Sequence, residues 1–290
     1  MKQIKVKFSD FWHGFNPKSN FWTQILDRAK IPYEVVFSGE ADLLISSVFG
    51  NNHLQINDCR KKMIWIGENI RARNYYNYFD KVYSFDYVED EKNFRFPLYL
   101  IDIWERDIEI FSEYRNKNKE KIKEEYDNRK FCIFVCSNPN YSFRNIFYYR
   151  MNKIGEVHSY GKLFNNMGDV LPKDRQSKVE MGKNYKFSIC FENGTHEGYV
   201  TEKINDGFRS GGIPVYYGSS RISEHFNEKS FINVNKLGVD GALELVENMS
   251  KDFELYYEYY SQPIISDPNI LKKRFDSFMD DFANFIKTII

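Results

Sequence analysis

The sequence predicts an α/β fold made of two domains, each built around a parallel sheet. The chain has 290 residues, and a chain of this length favours about two domains. Short apolar segments alternate with a helical pattern over residues 1 to about 100, which is typical of strands connected by helices. A strand, a loop, a helix and a second strand then follow one another between Phe187 and Gly218. Both observations indicate parallel sheets covered by helices.

The first domain, residues 1–105, is predicted to contain several strands and a helix from Phe21 to Lys30. The strand from Met63 to Ile66 runs into a Gly-Glu-Asn segment, which puts Glu68 at the carboxyl end of a strand. Open α/β sheets bind their ligands at this edge. An ordinary turn is the alternative interpretation of the segment. The candidate strands are Ile4 to Phe8, Tyr33 to Phe37, Asp42 to Val48, Met63 to Ile66 and Lys81 to Phe85.

Residues 106–130 are rich in Glu, Lys, Arg and Asn, and are predicted to form a charged linker or a solvated helix. The second domain, residues 131–265, opens with a strand from Phe131 to Val135 and a helix from about Arg144 to Lys153. Arg144 falls in the first turn of this helix, where a cation is unfavourable unless an anion is near. Arg144 therefore either pairs with a carboxylate or binds an anionic ligand.

The stretch between Phe187 and Gly218 contains most of the candidate ligand-binding residues. Phe187 to Phe191 and Ile213 to Tyr217 are predicted strands, and Thr201 is the predicted N-cap of the helix between them. The polar residues expected at the carboxyl end of the first strand are Glu192, Asn193, Tyr199, Glu202 and Lys203.

A helix that starts at Thr201 presents unpaired N–H groups and the positive end of its dipole, and Lys203 adds a full charge. This predicts a site for phosphate or diphosphate. Glu202 would repel a simple phosphate, but it suits a ligand that becomes partly cationic, as the anomeric carbon of a sugar does in an oxocarbenium-like transition state. An ordinary polar helix start is the alternative.

The last part of the chain is predicted to form a strand from Phe231 to Val234 and two amphipathic helices, Gly241 to Tyr260 and Asn269 to Ile290. Residues 266–290 are expected to be a separate C-terminal helix that can pack back on the first domain. A membrane-surface helix is the alternative. Mixed charges and the spacing of the apolar positions favour packing on a core.

Composition excludes several classes of function. Lys plus Arg and Asp plus Glu number 41 each, so no basic field favours nucleic acid or a polybasic membrane anchor. The first residues alternate between polar and apolar, which predicts neither a signal peptide nor a transmembrane segment. Four cysteines without a CxxC pair predict reduced thiols and a bacterial cytoplasmic location, with peripheral association at the inner membrane left open.

Three segments in the central stretch stand in a fixed order. They are Phe191-Glu192-Asn193, Tyr199-Val200-Thr201-Glu202-Lys203 and Ile213-Pro214-Val215. In this order they resemble the donor-binding signature of the bacterial-type α1,3-fucosyltransferases of glycosyltransferase family 10. The resemblance implies a GT-B-type fold, in which two Rossmann-like domains face each other across a cleft, and GDP-fucose as the donor.

The resemblance also implies roles for particular residues. The family carries its proposed catalytic base in a Gly-Glu-Asn segment ahead of an R-x-P-L-Y stretch, here Arg95 to Tyr99, which gives the role of base to Glu68. An S-N-P-N segment followed by an R-N pair gives Arg144 the diphosphate contact. Glu202 would hold the fucose and stabilise the charge that develops at its anomeric carbon. Lys203 and the helix start at Thr201 would neutralise the departing GDP, while the donor site would also be lined by Asn193 and Tyr199.

The function expected from this resemblance is an inverting transfer of L-fucose to O-3 of GlcNAc or Glc in a Galβ1,4-linked oligosaccharide, which gives a Lewis x-like product. A transferase that uses another nucleotide sugar or acceptor and a sugar-binding protein without activity are the alternatives. Because cations and a helix dipole can carry the charge of the leaving group, no obligatory metal cofactor is expected. Mn²⁺ could still stimulate the reaction by binding GDP.

Overall fold

A computed structural model describes residues 2–104, 117–172 and 174–290. The chain divides into two compact units, one formed by Met1–Glu105 with Asp267–Ile290 and the other by Arg106–Ser266. Each unit contains a parallel sheet, which confirms the α/β class predicted from the sequence. Among the helices described, none is long and apolar enough to cross a membrane.

The first unit is organised around a six-stranded sheet in the order β2-β1-β3-β4-β5-β6, with every neighbouring pair parallel. The first-domain strands predicted from the sequence are all present, with ends that differ by at most four residues. The short strand β6 was missed because it has only three half-buried residues and no apolar run. The strands are β1 (Ile4–Ser9), β2 (Tyr33–Val35), β3 (Ala41–Ser46), β4 (Cys59–Trp65), β5 (Lys81–Ser84) and β6 (Asn93–Arg95).

Three described α-helices belong to the first unit: α1 (Phe21–Arg28), α2 (Leu98–Trp104) and the C-terminal helix, α9 (Pro268–Lys287). The side chain of Phe278 on α9 is fully buried, and its ring stacks on Phe96 with centroids 3.9 Å apart. This confirms that α9 packs on a core. Asp281 also fixes α9 to the sheet, because its carboxylate accepts hydrogen bonds from the Lys81 ammonium at 2.6 Å and the Tyr83 hydroxyl at 2.9 Å.

The second unit has a five-stranded parallel sheet in the order β11-β10-β9-β7-β8. Its strands are β7 (Lys130–Phe134), β8 (Val157–Ser159), β9 (Tyr185–Phe191), β10 (Ile213–Tyr217) and β11 (Ile232–Asn233). The described helices of this unit are α3 (Lys119–Asn128), α4 (Ser142–Met151), α5 (Arg175–Gly182), α6 (Glu202–Arg209), α7 (Val234–Lys251) and α8 (Phe253–Tyr260).

One helical prediction in this unit was wrong in part, and one helix was missed. The long helix expected from Gly241 to Tyr260 is two helices, because Asp252 leaves the helical conformation and caps α8 through its carboxylate. Helix α5 was missed because its sequence has little apolar periodicity. The charged segment expected at residues 106–130 forms α3 at its end, and α3 buries Ile122 and Tyr126. The rest of that prediction, up to residue 116, lies outside the described residues.

We expect Phe278→Ala to lower the free energy of unfolding of the first unit by about 3–5 kcal/mol, because it removes a buried aromatic ring and leaves a cavity. Denaturant unfolding followed by circular dichroism measures the change. Ile270→Ala is the matched control on the same helix, because Ile270 is 44% exposed, and it should change stability by less than about 0.5 kcal/mol. Equal losses in both variants would contradict the packing described for α9.

Candidate active site

A buried carboxylate joins the end of β9 to the start of α6. Glu192 follows β9 directly and is 3% exposed. Its Oε1 accepts a hydrogen bond from the backbone N–H of Thr201 at 2.7 Å, and its Oε2 accepts one from the Thr201 hydroxyl at 2.6 Å. One side chain therefore holds the strand end and the helix start together. The sequence predicts Glu192 at this edge but carries no signal for its role as the connecting group.

Helix α6 begins as predicted. Thr201 is its N-cap, with an extended backbone and a side chain that accepts from the Lys203 N–H. Its apolar stripe packs inside the unit, because Val200, Ile204 and Phe208 are each at most 1% exposed. Two contacts fix the position of α6. The buried stripe fixes the rotation of the helix about its axis, and Glu192 fixes its first turn against the end of β9.

Lys203 lies between two carboxylates. Its Nζ is 3.4 Å from Glu192 Oε2 and 3.4 Å from Glu202 Oε1, and it donates a hydrogen bond to the Thr201 hydroxyl at 3.0 Å. Burial acts to lower the pKa of Lys203, but Glu202 and Glu192 raise it above its usual value. Lys203 is therefore a permanent cation at the positive end of α6.

The two glutamates have opposite pKa shifts. Burial raises the pKa of Glu192, against the opposing effects of Lys203 and Thr201. Burial also acts to raise the pKa of Glu202, but the charge of Lys203 and then those of Lys178 and Arg175 lower it to about 2. Glu202, whose side chain is 23% exposed, is thus ionised at neutral pH.

Helix α5 supplies the additional cations. The guanidinium of Arg175 donates to Asp206 Oδ1 of α6 from Nη2 at 2.6 Å and from Nε at 3.0 Å, which ties α5 to α6. Sequence reasoning missed Arg175. The signal was Asp174, which caps α5 by accepting a hydrogen bond from the Ser177 N–H at 2.7 Å, a pattern that marks a helix start.

Arg144 occupies the first turn of α4 and is 3% exposed. Its Nη2 donates to the Asn138 carbonyl oxygen at 2.5 Å, and its Nη1 donates to Asn193 Oδ1 at 3.2 Å. Two residues predicted for the donor site are therefore in direct contact. Its Nε is buried without a hydrogen-bond partner in the parts of the chain that the structure describes. A buried donor of this kind is costly unless a ligand accepts from it.

Tyr199, which the sequence assigns to the lining of the donor site, is buried. Its side chain is 1% exposed, so it packs inside the unit. Its proximity to Lys203 contributes to the raised pKa of that lysine. Tyr199 thus lies directly beside the helix start that the other predicted residues surround.

Glu68 belongs to the first unit. It is half-buried and lies three residues after the end of β4, on the carboxyl edge of the sheet, as the sequence predicted. A side chain at Gly67 would put a Cβ only 2.7 Å from the Trp65 ring. The glycine therefore lets the backbone turn tightly over that ring, just before the carboxylate.

Comparison with known families covers most of the chain. Residues 125–263 match the model described as "Glycosyltransferase family 10 (fucosyltransferase) C-term". Residues 6–102 match the "Alpha-(1,3)-fucosyltransferase FucT N-terminal domain". The two matched segments contain all the site residues predicted from the sequence, from Glu68 to Lys203.

Among curated proteins, the chain is 32% identical over 232 residues to "Alpha-(1,3)-fucosyltransferase FucT" of Helicobacter pylori, covering 70% of this chain and 47% of the relative. It is 29% identical over 136 residues to "4-galactosyl-N-acetylglucosaminide 3-alpha-L-fucosyltransferase 9" of Homo sapiens, covering 46% of this chain and 36% of that protein. The chain thus spans less than half the length of these curated relatives.

A solved structure agrees in fold over nearly the whole chain. The crystal structure of an α1,3-fucosyltransferase with GDP-fucose is 25% identical, with a TM-score of 0.71, and the match covers 95% of this chain and 90% of that one. The α/β architecture is therefore of the GT-B type predicted from the sequence. The family models and this structural similarity together show that the chain belongs to glycosyltransferase family 10, the fucosyltransferases.

Proposed function

We propose that this chain is an inverting α1,3-fucosyltransferase that moves L-fucose from GDP-fucose to O-3 of GlcNAc or Glc in a Galβ1,4-linked acceptor. The product would be Lewis x-like. The observation that carries the proposal is the charge arrangement at the start of α6, where the carboxylate of Glu202 and the ammonium of Lys203 lie 3.4 Å apart. The acceptor is proposed by analogy with the human relative, a 4-galactosyl-N-acetylglucosaminide 3-α-L-fucosyltransferase.

The second unit supplies groups suited to the diphosphate of GDP. Arg144 offers a planar guanidinium with a buried Nε that lacks a partner among the described residues, and a guanidinium suits phosphate oxygens better than a lysine does. Lys203 and the N–H groups at the start of α6 add positive charge. These groups stabilise the GDP that leaves as the bond between its phosphate oxygen and C1 of fucose breaks.

Glu202 acts on the other end of the breaking bond. Positive charge develops at C1 of fucose in an oxocarbenium-like transition state. A carboxylate with a pKa of about 2 remains negative at neutral pH. It therefore stabilises that charge, and such a contact typically contributes about 3–4 kcal/mol to the transition state.

Glu68 is the proposed base. It would accept the proton of the acceptor hydroxyl while that oxygen forms a bond to C1, and a single displacement of this kind inverts the anomeric centre. Its place on the carboxyl edge of the first sheet supports this role.

The same charges make a metal unnecessary in the proposed reaction, because Arg144 and Lys203 act where Mn²⁺ would otherwise neutralise the diphosphate. Mn²⁺ added to the assay could still accelerate turnover by binding the released GDP. The proposal therefore includes activity in the presence of EDTA.

Glu68→Gln keeps the size of the side chain and removes the base. We expect kcat for acceptor-dependent transfer to fall by about 10²- to 10⁴-fold, while the dissociation constant for GDP-fucose, measured by calorimetry, stays within about twofold. Glu89→Gln is the control, since Glu89 is an exposed carboxylate of the same unit. Full transfer by Glu68→Gln would rule out Glu68 as the base. A chain that binds GDP-fucose but never transfers it would favour a sugar-binding protein.

Arg144→Lys keeps the charge and removes the fork of donors. We expect GDP to bind about 10- to 100-fold more weakly, because hydrogen bonds between charged groups contribute roughly 1.5–3 kcal/mol. Calorimetric titration with GDP measures the loss. Arg150→Lys on the same helix is the control, because Arg150 is paired with Asp240 on the surface, and it should bind GDP normally. Unchanged GDP affinity in a folded Arg144→Lys protein would refute the diphosphate contact.

A further inference from the structure

Exposed aromatic side chains cluster at one edge of the first unit. Trp12 is 45% exposed and Phe49 is 50% exposed, and their rings pack edge to face with centroids 6.0 Å apart. Trp12 in turn packs against Phe15, which stacks on Phe11 with centroids 3.9 Å apart. We call Trp12 and Phe49 the aromatic platform. Contiguous exposed apolar patches mark interaction or ligand-binding sites, whereas apolar side chains that are exposed singly are normal.

The platform lies on the edge of the sheet that carries Glu68. Trp12 follows β1, Phe49 follows β3 and Glu68 follows β4, and these three strands are successive neighbours in the parallel sheet. Neighbouring strands are about 4.8 Å apart, so β1 and β4 are separated by about 10 Å at this edge. That separation is comparable to the length of a disaccharide. All these residues belong to one unit.

A buried carboxylate holds the two platform loops in place. Oδ1 of Asp10 accepts a hydrogen bond from the Asn52 N–H at 2.9 Å, and Oδ2 accepts one from the His53 N–H at 2.9 Å. The ring nitrogen Nδ1 of His53 lies 2.8 Å from the same Oδ2. The Asp10 carbonyl also accepts from the Phe49 N–H at 2.9 Å. The loop after β1 is thus fastened to the loop after β3.

Two backbone features show that the contact between the two loops depends on the residues at these positions. Asp10 adopts a left-handed conformation with φ of 58°, which is uncommon for a residue other than glycine. A Cβ at Gly50 would lie 2.5 Å from Asp10 Oδ1, so the approach of the two loops requires a glycine there. Burial acts to raise the pKa of Asp10, but hydrogen bonds from His53 and Asn52 lower it. The carboxylate that fastens the loops therefore stays ionised at neutral pH.

We propose that the aromatic platform binds a pyranose ring of the acceptor by stacking against its apolar C–H face. This inference rests on the proposed function and gives the acceptor a defined place in it. A pyranose presents axial C–H groups on one face and hydroxyl groups at its rim, so an aromatic surface can hold the face and leave a hydroxyl free to react. Glu68, on the same sheet edge, is where that hydroxyl would lose its proton.

The test compares Trp12→Ala and Phe49→Ala with the unaltered chain in acceptor titrations with N-acetyllactosamine. We expect the KM for the acceptor to rise about five- to tenfold in each variant, by the usual contribution of an aromatic contact. The KM for GDP-fucose should not change. Trp12→Phe, which keeps a ring, should stay within about twofold of the unaltered chain. Tyr149→Ala removes an exposed aromatic residue of the second unit and serves as the control.

Direct binding separates this proposal from the proposed function. Saturation-transfer NMR should show contact with the ring C–H protons of N-acetyllactosamine in the unaltered chain, and weaker contact in Trp12→Ala. If the chain transfers no fucose but shows this pattern, the proposed function fails and the platform stands. Binding or KM that is unaffected in folded Trp12→Ala and Phe49→Ala overturns the platform. A change from oligomer to monomer in these variants, with acceptor binding intact, also overturns the proposal. The patch would then be a contact between copies of the chain.

Discussion

The hydrogen bonds between the buried carboxylate of Glu192 and Thr201 are the interaction on which the candidate donor site depends. Burying a carboxylate is costly unless it is paired and hydrogen-bonded, and here the Thr201 backbone N–H, its hydroxyl and the Lys203 ammonium meet that cost. A buried ion pair of this kind is weak evidence for stability. Its value is positional, because it fixes the first turn of α6 against the end of β9.

Two carboxylates lie near the start of α6, and their environments shift their pKa values in opposite directions. Glu192 is enclosed, and its pKa is raised by burial. The charge of Lys203 and those of the cations on α5 lower the pKa of Glu202 to about 2. Different environments therefore give the two glutamates different tasks, in the way that neighbouring carboxylates divide acid and base roles in glycoside-cleaving enzymes. One is a structural connection, and the other is the carboxylate proposed to stabilise a sugar cation.

Much of this could be predicted from the sequence. The strand Ile213 to Tyr217 and the cap at Thr201 were located correctly, because a short apolar run and a threonine before a periodic stripe are strong local signals. Local signals also placed Glu68 at a strand end. Residues whose partners are distant in sequence could not be found in this way. Arg175 contacts Asp206 across 31 positions, and Asp10 joins residues 42 and 43 positions away.

The two units share one structural feature. In each, a buried carboxylate after a strand accepts backbone N–H groups from a later loop or helix, Asp10 in the first unit and Glu192 in the second. Such contacts leave no periodic pattern in the sequence. They rigidify the carboxyl edges of both sheets, where open α/β folds bind ligands, and so prepare the surfaces that carry the proposed chemistry.

The account is tested most directly by the release of GDP from GDP-fucose, followed with and without N-acetyllactosamine in a buffer that contains EDTA. We predict release that depends on the acceptor, persists in EDTA, and is inhibited by added GDP but not by UDP. Binding of GDP-fucose without any acceptor-dependent release would contradict the proposed acceptor. The absence of any binding to GDP-fucose would contradict the central claim, that the start of α6 and Arg144 form a site for this donor.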